Sequence, residues 1–245
     1  MIRHFTITRG DLKNIYRDRM QLLVAVTPLI IILLLRFLVP VVTNLLKVHL
    51  LFDLSPHYPF ILSFFITLTP LFYGMVIGFL IIDERDEQLI SYFAITPLTK
   101  SGYIKQRVGL PIVITFTLTI ILVYGSGIVS IPFLNFLKLI PLAFMLALEA
   151  PLMAVVLAST ASNKVEGLAI AKGMGITILS PLAGYFIAFR WRYLAGIFPQ
   201  FWVSQAFLGI YNDHFQYLSS LSFGFLIHII YLKLMINRFN KKVES

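Results

Sequence analysis

Residues 62–82 read LSFFITLTPLFYGMVIGFLII and contain no charged side chain. About 20 consecutive apolar residues are enough for a helix to cross a bilayer core of roughly 30 Å. The next residues, 83–107, read DERDEQLISYFAITPLTKSGYIKQR and are too charged to enter lipid. This boundary predicts a membrane-crossing helix that leads into a polar connection, and the rest of the chain repeats the pattern.

The composition of the whole chain is that of a membrane protein. Hydrophobic residues make up 58% of the 245 positions and charged residues 13%, with a mean hydropathy of +0.87; a soluble domain has about 25% charged residues. There is no cysteine, which excludes disulfides and thiolate chemistry. We predict an all-α integral membrane fold in which residues 1–245 form a single transmembrane domain. Its six transmembrane helices are placed at about residues 22–43, 60–82, 108–130, 139–161, 167–189 and 218–236.

Basic residues lie mostly on one side of the predicted spans. Fourteen of the twenty Lys and Arg residues fall in one set of flanks, at residues 1–21, 83–107, 162–166 and 233–245. Only four fall in the opposite set, at residues 44–59, 131–138 and 190–217. Because cytoplasmic flanks carry the excess of Lys and Arg, we predict a multi-pass protein of the cell membrane with both termini in the cytoplasm. The net charge of +9 is then a topology signal and does not indicate nucleic-acid binding.

Two segments are predicted to lie at the membrane surface. Residues 1–21 place apolar side chains at helical spacing between charges, which favours an amphipathic interfacial helix; a solvated basic leader is the alternative. Residues 190–217 are rich in aromatic side chains but interrupted by Pro199. This pattern favours short re-entrant helices on the outer side before the last span, and an ordinary loop with an aromatic belt is the alternative.

The connection at 83–107 contains the signals of a short helix of its own. Thr96 can cap a helix whose first position is Pro97, where the missing N–H costs nothing. Such a helix, at 97–107, carries Lys105 and Arg107 near its C-terminus, where the helix dipole favours cations. The apolar residues that precede it either pack on the protein's own spans or dock a cytoplasmic partner.

Arg36, Glu149 and Lys172 are ionisable side chains inside the predicted spans. Lys172 lies near the cytoplasmic end of the fifth span and is expected to reach the headgroups. Arg36 lies in the first span and Glu149 in the fourth, and their depths differ by only about 6 Å at roughly 1.5 Å per residue. A charge in lipid is expensive unless it is paired or hydrated, so two interpretations are open. Either the two residues form a structural ion pair, or Glu149 lines a substrate pathway. Gly74 and Gly78, one helical turn apart in the second span, permit a close approach of another helix.

The motifs of common catalytic sites are absent. The chain has no GxxxxGK[ST] loop for ATP, no HExxH and no GxSxG. An integral membrane enzyme would need carboxylates or histidines clustered at membrane depth, and only Glu149 is there. We therefore predict a chain that is not an enzyme and has no catalytic residue, no metal site and no cofactor of its own.

The polar connection resembles the loop after the second span in permeases of ATP-binding-cassette transporters of the type-2 exporter family. The shared pattern is E-R-D-E at 84–87, T-P-L-T at 96–99, and Tyr103. The sequence differs from that pattern at Gln88, where the family usually has glycine, and at Leu89, where threonine is common. These two differences affect the geometry of the turn that follows the acidic residues.

Two further stretches agree with this resemblance. Residues 11–40 look like the family's basic interfacial helix, which leads into a first span that contains proline. Residues 198–207, FPQFWVSQAF, are similar to the segment before the last span. The resemblance covers essentially the whole chain, and among members of the family it is strongest to small permeases named as drug or fluoroquinolone exporters.

The resemblance implies a function and partners. The chain is expected to be the membrane-spanning subunit of an ATP-driven exporter of an amphipathic compound or peptide, paired with an identical or related permease. Separate cytoplasmic ATPase subunits would bind ATP and Mg. The residues expected to couple to those subunits are Asp83, Glu84, Arg85, Asp86, Glu87, Thr96, Pro97, Leu98, Tyr103, Lys105 and Arg107. The alternatives are a lipid or polysaccharide flippase component, an integral membrane enzyme, and a membrane anchor that transports nothing.

Overall fold

The computed structural model describes residues 19–90, 99–187, 190–212 and 214–244, and within these ranges the chain contains helices and no strand. Six segments of this part of the chain are long and apolar enough to cross a membrane, namely Val26–Leu50, Ser55–Asp86, Gln106–Ser126, Asn135–Thr160, Lys164–Phe186 and His214–Lys242. The predicted all-α fold with six spans is confirmed.

The spans are built from the following elements. In chain order the helices are α1 (Arg19–Leu33), α2 (Val39–Leu50), α3 (Tyr58–Asp86), α4 (Thr99–Ser126), α5 (Phe133–Ala147), α6 (Glu149–Thr160), α7 (Lys164–Met174), α8 (Leu179–Phe186), α9 (Pro199–Asn212) and α10 (His214–Glu244). A π-helical turn at Leu34–Leu38 joins α1 to α2, and 3₁₀ turns lie at Ser55–His57, Gly175–Ile178 and Arg190–Ile197.

The first span widens into its π-helical turn just before a proline. Pro40 has no N–H and its ring crowds the carbonyl of the residue four positions earlier, Arg36. A π-helical turn at Leu34–Leu38 accommodates this interruption without ending the helix. The span packs against α3 and α4, and most of its large apolar side chains remain exposed, as expected of a helix that faces lipid.

The centre of the bundle is the contact between α3 and α6. A Cβ atom placed on Gly74 would lie 2.6 Å from the Ala150 carbonyl oxygen, and one on Gly78 would lie 2.9 Å from the Leu157 side chain. Only glycine permits helix backbones to approach this closely. The predicted role of the two glycines is therefore confirmed, and they fix α6 in the interior of the protein.

The fourth span is interrupted between α5 and α6. The Leu148 N–H shares its hydrogen bond between the carbonyls of Phe144 (3.3 Å) and Met145 (3.2 Å). Pro151 supplies no N–H to the Ala147 carbonyl, which would be its partner in a regular helix. This break places Glu149 at the first position of α6, in the middle of the span.

The predicted separate helix at 97–107 is wrong in its C-terminal boundary. The helix that begins at Thr99 continues without a break through the third span to Ser126. The predicted boundary followed the change from polar to apolar residues near position 108. A change of polarity does not end a helix, because termination depends on backbone groups and capping residues.

The segment at 190–217 forms a 3₁₀ turn and then α9, which packs against α3, α5, α8 and α10. Most side chains of α9 are buried. Its predicted re-entry into the membrane stays a prediction, because the structure contains no bilayer. The predicted interfacial helix at 1–21 lies largely outside the described residues and also stays a prediction.

Candidate functional site

The end of α3 is joined to the start of α4 by a buried cluster of three side chains. Tyr103 Oη donates to Glu84 Oε2 at 2.6 Å, and Arg107 Nε donates to the same oxygen at 3.1 Å. Arg107 Nη2 donates to Glu84 Oε1, which completes a two-pronged arginine–carboxylate pair. Tyr103 and Arg107 are four residues apart on α4, so their side chains leave the helix on the same face.

The cluster is largely shielded from water. The Arg107 side chain is 4% exposed and the Glu84 side chain 14%. Burial, together with the neighbouring Glu84 carboxylate, raises the pKa of Tyr103 well above its ordinary value. The phenol therefore keeps its proton and donates it to Glu84, and the carboxylate has three donors for its two oxygens.

The C-terminal end of α6 is capped by cations from two other helices. Arg85 Nη1 donates to the Ala158 carbonyl at 3.0 Å and Arg85 Nη2 to the Ser162 carbonyl at 2.9 Å. Lys242 Nζ donates to the Ala161 carbonyl at 2.7 Å, with two longer bonds to the preceding carbonyls. The last carbonyls of a helix have no partner within the helix and carry partial negative charge. Arg85 and Lys242 therefore stabilise this end of α6 and bind α3 and α10 to it.

An ion pair adds α7 to the same assembly. Lys164 Nζ lies 2.9 Å from Asp83 Oδ2, with the two side chains 46% and 33% exposed. A pair this exposed contributes roughly 0–1 kcal/mol. We call the set of side chains that joins the ends of α3, α4, α6, α7 and α10 the polar collar. Its members are Asp83, Glu84, Arg85, Tyr103, Arg107, Lys164 and Lys242.

The acidic residues next to the collar face solvent. The Asp86 side chain is 43% exposed and lies 3.7 Å from Arg85 Nη2, and Glu87 is exposed as well. Gln88 follows with φ of 58°, in the left-handed region. Its N–H donates to the Arg85 carbonyl at 3.0 Å and so closes the last turn of α3. This geometry explains why glycine is usual at this place in the permeases that the sequence resembles.

The structure brings together some of the predicted coupling residues and not others. Glu84, Tyr103 and Arg107 form one cluster, whereas Asp86 and Glu87 lie on the surface. Asp83 and Arg85 also belong to the collar, through Lys164 and through the carbonyls at the end of α6. Thr96, Pro97 and Leu98 lie outside the described residues, as does the side chain of Lys105 within α4. Sequence reasoning missed two members of the collar, Lys164 and Lys242, although the basic C-terminal stretch 233–245 was a signal for the second.

The predicted ion pair between Arg36 and Glu149 is wrong. Arg36 is exposed, and its Nη1 donates to the Gly125 carbonyl on α4 at 3.2 Å. Glu149 is 0% exposed, and neither carboxyl oxygen has a hydrogen-bond partner among the described residues. The first span packs on α3 and α4, and α6 is not among the helices against which it packs. A place for Glu149 in a pathway stays a prediction.

Buried polar side chains of α9 also escaped the sequence analysis. Gln200 donates through Nε2 to Thr177 Oγ1 at 3.0 Å. Ser204 Oγ lies 2.9 Å from Ser63 Oγ on α3. A sequence shows the polarity of such residues but not the side of the helix on which they become buried.

The fold and the collar define a multi-pass integral membrane protein in which hydrogen bonds and ion pairs join the helix ends on one side. The chain belongs to the family described as fluoroquinolones export permease protein Rv2686c-like, which matches residues 11–236. The predicted resemblance to export permeases is therefore confirmed, and the chain is a transporter subunit of an export system.

Individual relatives agree with this assignment. Over 236 residues the chain is 27% identical to the fluoroquinolones export permease protein Rv2686c of Mycobacterium tuberculosis strain ATCC 25618 / H37Rv. The match to the fluoroquinolones export permease protein MT2760 of strain CDC 1551 / Oshkosh has the same identity and length. Each match covers 96% of this chain and 92% of the relative. No solved structure matches the chain.

Proposed function

We propose that this chain is the membrane-spanning subunit of an ATP-driven exporter in the cell membrane. Separate cytoplasmic subunits bind ATP and Mg and hydrolyse the nucleotide. Two permease subunits, identical or related, form the pathway for an amphipathic compound. The names of the relatives support a drug-like compound as the cargo, and the distribution of Lys and Arg supports a cytoplasmic position for the collar and both termini.

The observation that carries the proposal is the position of the exposed acids beside the collar. Asp86 and Glu87 are exposed at the end of α3, and the collar connects that end to four other helices. A force applied to the connection at 83–107 therefore acts on several spans together, because the hydrogen bonds of Glu84 and Arg85 leave little freedom between them. This is the mechanical property that a coupling element requires.

The proposal divides the acidic residues into two roles. Glu84 accepts three hydrogen bonds within the chain, so it holds the connection in shape. Asp86 and Glu87 present their carboxylates to solvent and are the residues that orient the ATPase subunit. Electrostatic complementarity of this kind sets the rate and specificity of association.

The test is charge reversal at the exposed acids. The variant Asp86→Lys/Glu87→Lys is expressed with the ATPase subunit and purified from membranes in mild detergent, and the amount of bound ATPase and its turnover are measured. We expect association or stimulation of the ATPase to fall about tenfold while the amount of permease in the membrane is unchanged. The control is Asp53→Lys, which reverses an exposed carboxylate on the connection between α2 and α3. Normal association and turnover in the double variant would refute the proposed docking role.

A further inference from the structure

One face of α10 points away from the rest of the bundle and changes from apolar to basic along its length. The exposed side chains on this face recur every three or four residues, so they form one continuous strip of the helix surface. We call this face the α10 stripe. Its members are Leu226, Ile230, Lys233, Leu234, Arg238 and Lys241.

The opposite face of α10 is attached to the bundle, which leaves the stripe on the outside. A Cβ atom on Gly224 would collide with the Met145 thioether of α5. Phe239 is 4% exposed and belongs to a buried cluster with apolar residues of α3 and α6. Lys242, close to the end of the helix, reaches the Ala161 carbonyl. Within a bilayer, the outward face of a helix held in this way contacts lipid.

The depth of the basic residues follows from the same attachment. Ala161 directly follows α6 and marks the end of the fourth span, and Lys242 binds its carbonyl. Lys241 therefore lies at the end of that span, while Arg238 and Lys233 lie about 5 Å and about 12 Å further into the membrane at roughly 1.5 Å per residue. The neighbours of Lys233 on the stripe are apolar, so this lysine leaves the helix at the depth of the acyl chains. A charge there is costly unless the flexible stem carries the ammonium group to the headgroups.

The stripe carries basic groups without acids to neutralise them. From position 214 to position 243 the sequence contains four Lys or Arg residues and no Asp or Glu. One of the four, Lys242, is occupied at the end of α6. Within the part of the chain that the structure describes, Lys233, Arg238 and Lys241 make no ion pair. Three cations on one face of a helix at the membrane boundary attract groups of negative charge.

We propose that the α10 stripe binds an anionic phospholipid of the leaflet on the collar side of the membrane. The phosphate lies among the three basic side chains, and an acyl chain lies along the apolar part of the stripe. Basic residues at the membrane end of a spanning helix recognise anionic headgroups. An apolar surface of a second protein would leave the three charges without counter-ions, and a lipid supplies both the apolar contact and the negative charge. Lipid binding of this kind does not require the proposed ATP-driven export.

The test uses a fluorophore on the stripe and lipids that quench it. Because the chain has no cysteine, Ile230→Cys introduces a single labelling site beside the acyl chains. The labelled full-length chain, with any copurified partners, is placed in nanodiscs that contain equal amounts of phosphatidylglycerol and phosphatidylcholine. In one sample the phosphatidylglycerol carries a nitroxide quencher on its acyl chain, and in the other the phosphatidylcholine does. We expect quenching to give a preference for phosphatidylglycerol of at least about fivefold, the effect of one cationic side chain at the membrane surface.

The decisive variant removes the charges of the stripe and keeps polar side chains in their place. In Lys233→Gln/Arg238→Gln/Lys241→Gln, built on the labelled chain, we expect the preference for phosphatidylglycerol to fall below about twofold, because the cations that attract the headgroup are gone. Lys233→Gln alone is expected to reduce the preference at least about twofold, since this lysine reaches the headgroups from the depth of the acyl chains. This single variant keeps the proposal testable if the triple variant does not purify.

The matched control is Lys47→Gln/Lys138→Gln/Arg190→Gln, which makes the same change of net charge at the opposite ends of the spans and is expected to keep the preference. Equal quenching by both lipids in the otherwise wild-type chain would overturn the inference, as would an unchanged preference in the stripe variants or an equal loss in the control. Absence of quenching by either lipid would show that protein covers the stripe and would overturn it too.

Free phosphate is distinguished from a lipid headgroup by competition. A preference that disappears when an excess of inorganic phosphate replaces chloride at constant ionic strength would assign the basic residues to free phosphate and would overturn the inference. We expect the preference to persist, because the lipid is also held by its acyl chain. The assay contains no ATP, so a failure of ATPase coupling leaves its outcome unaffected, and the two proposals can fail separately.

Discussion

Glu84 at the end of α3 and Arg107 near the start of α4 are held together by two hydrogen bonds in an environment where the arginine side chain is only 4% exposed. A buried ion pair of this kind contributes little when compared with two apolar residues, but removal of one partner leaves an uncompensated charge. The pair therefore fixes the geometry of the connection more than it adds to the stability of the fold.

The first prediction concerns the dependence of each partner on the other. Arg107→Met leaves the Glu84 carboxylate buried with only the Tyr103 hydroxyl as a described donor, and we expect it to lower the free energy of unfolding by about 3–5 kcal/mol. The double variant Glu84→Gln/Arg107→Met removes both charges and keeps an acceptor for Tyr103. We expect it to recover at least half of that loss in denaturant titrations of the purified chain. A double variant as unstable as Arg107→Met alone would contradict this account.

The second prediction concerns the turn that ends α3. Gln88 has φ of 58°, a conformation that costs a residue with a side chain roughly 1–2 kcal/mol and glycine almost nothing. We expect Gln88→Gly to raise the free energy of unfolding by about 1 kcal/mol. Gln88→Ala is the matched control, because it also removes the side chain but keeps a Cβ atom in the unfavourable conformation. Equal stability of the two variants would show that the backbone conformation is not the cause.

The third prediction concerns the contact between α3 and α6. A methyl group on Gly74 would lie 2.6 Å from the Ala150 carbonyl oxygen, so Gly74→Ala must push the helices apart. Overpacking of this type costs about 1–3 kcal/mol. Gly109→Ala in α4 is the control, because a Cβ atom there meets nothing within 4 Å. Since alanine has the higher helix propensity, we expect the control to be neutral or slightly stabilising, and a loss of stability there equal to that of Gly74→Ala would refute the packing argument.

The sequence predicted the number of spans because each membrane-crossing helix must be long and apolar. Both properties can be read directly from the order of the residues. It also identified Glu84, Tyr103 and Arg107, through the resemblance of the connection to exporter permeases. It did not predict that these three side chains meet, since their contact depends on how two helices pack around the connection between them.

The incorrect prediction of an ion pair between Arg36 and Glu149 shows what cannot be inferred from sequence position alone. Counting residues gives the depth of Arg36 and Glu149 in the membrane but not the direction in which each side chain points. That direction depends on helix rotation and on which helices are neighbours, and the break at Leu148 changes the rotation further.

The last prediction concerns the C-terminal helix. Lys242 Nζ donates to the Ala161 carbonyl at 2.7 Å and to the carbonyls of Ser159 and Thr160 at 3.3 Å, so it compensates the negative end of α6. A cation at a helix C-terminus in a partly buried position contributes up to about 2 kcal/mol. We expect Lys242→Met to lower the free energy of unfolding by about 1–2 kcal/mol. Lys241→Met removes the same charge from the neighbouring exposed position, and we expect a change below about 0.5 kcal/mol. Because Lys242 is partly shielded from solvent, we expect added salt to reduce its contribution to the free energy of unfolding less than it reduces that of an exposed ion pair. If both lysine variants lost the same stability, the effect would come from net charge, and the proposed attachment of α10 to α6 would be refuted.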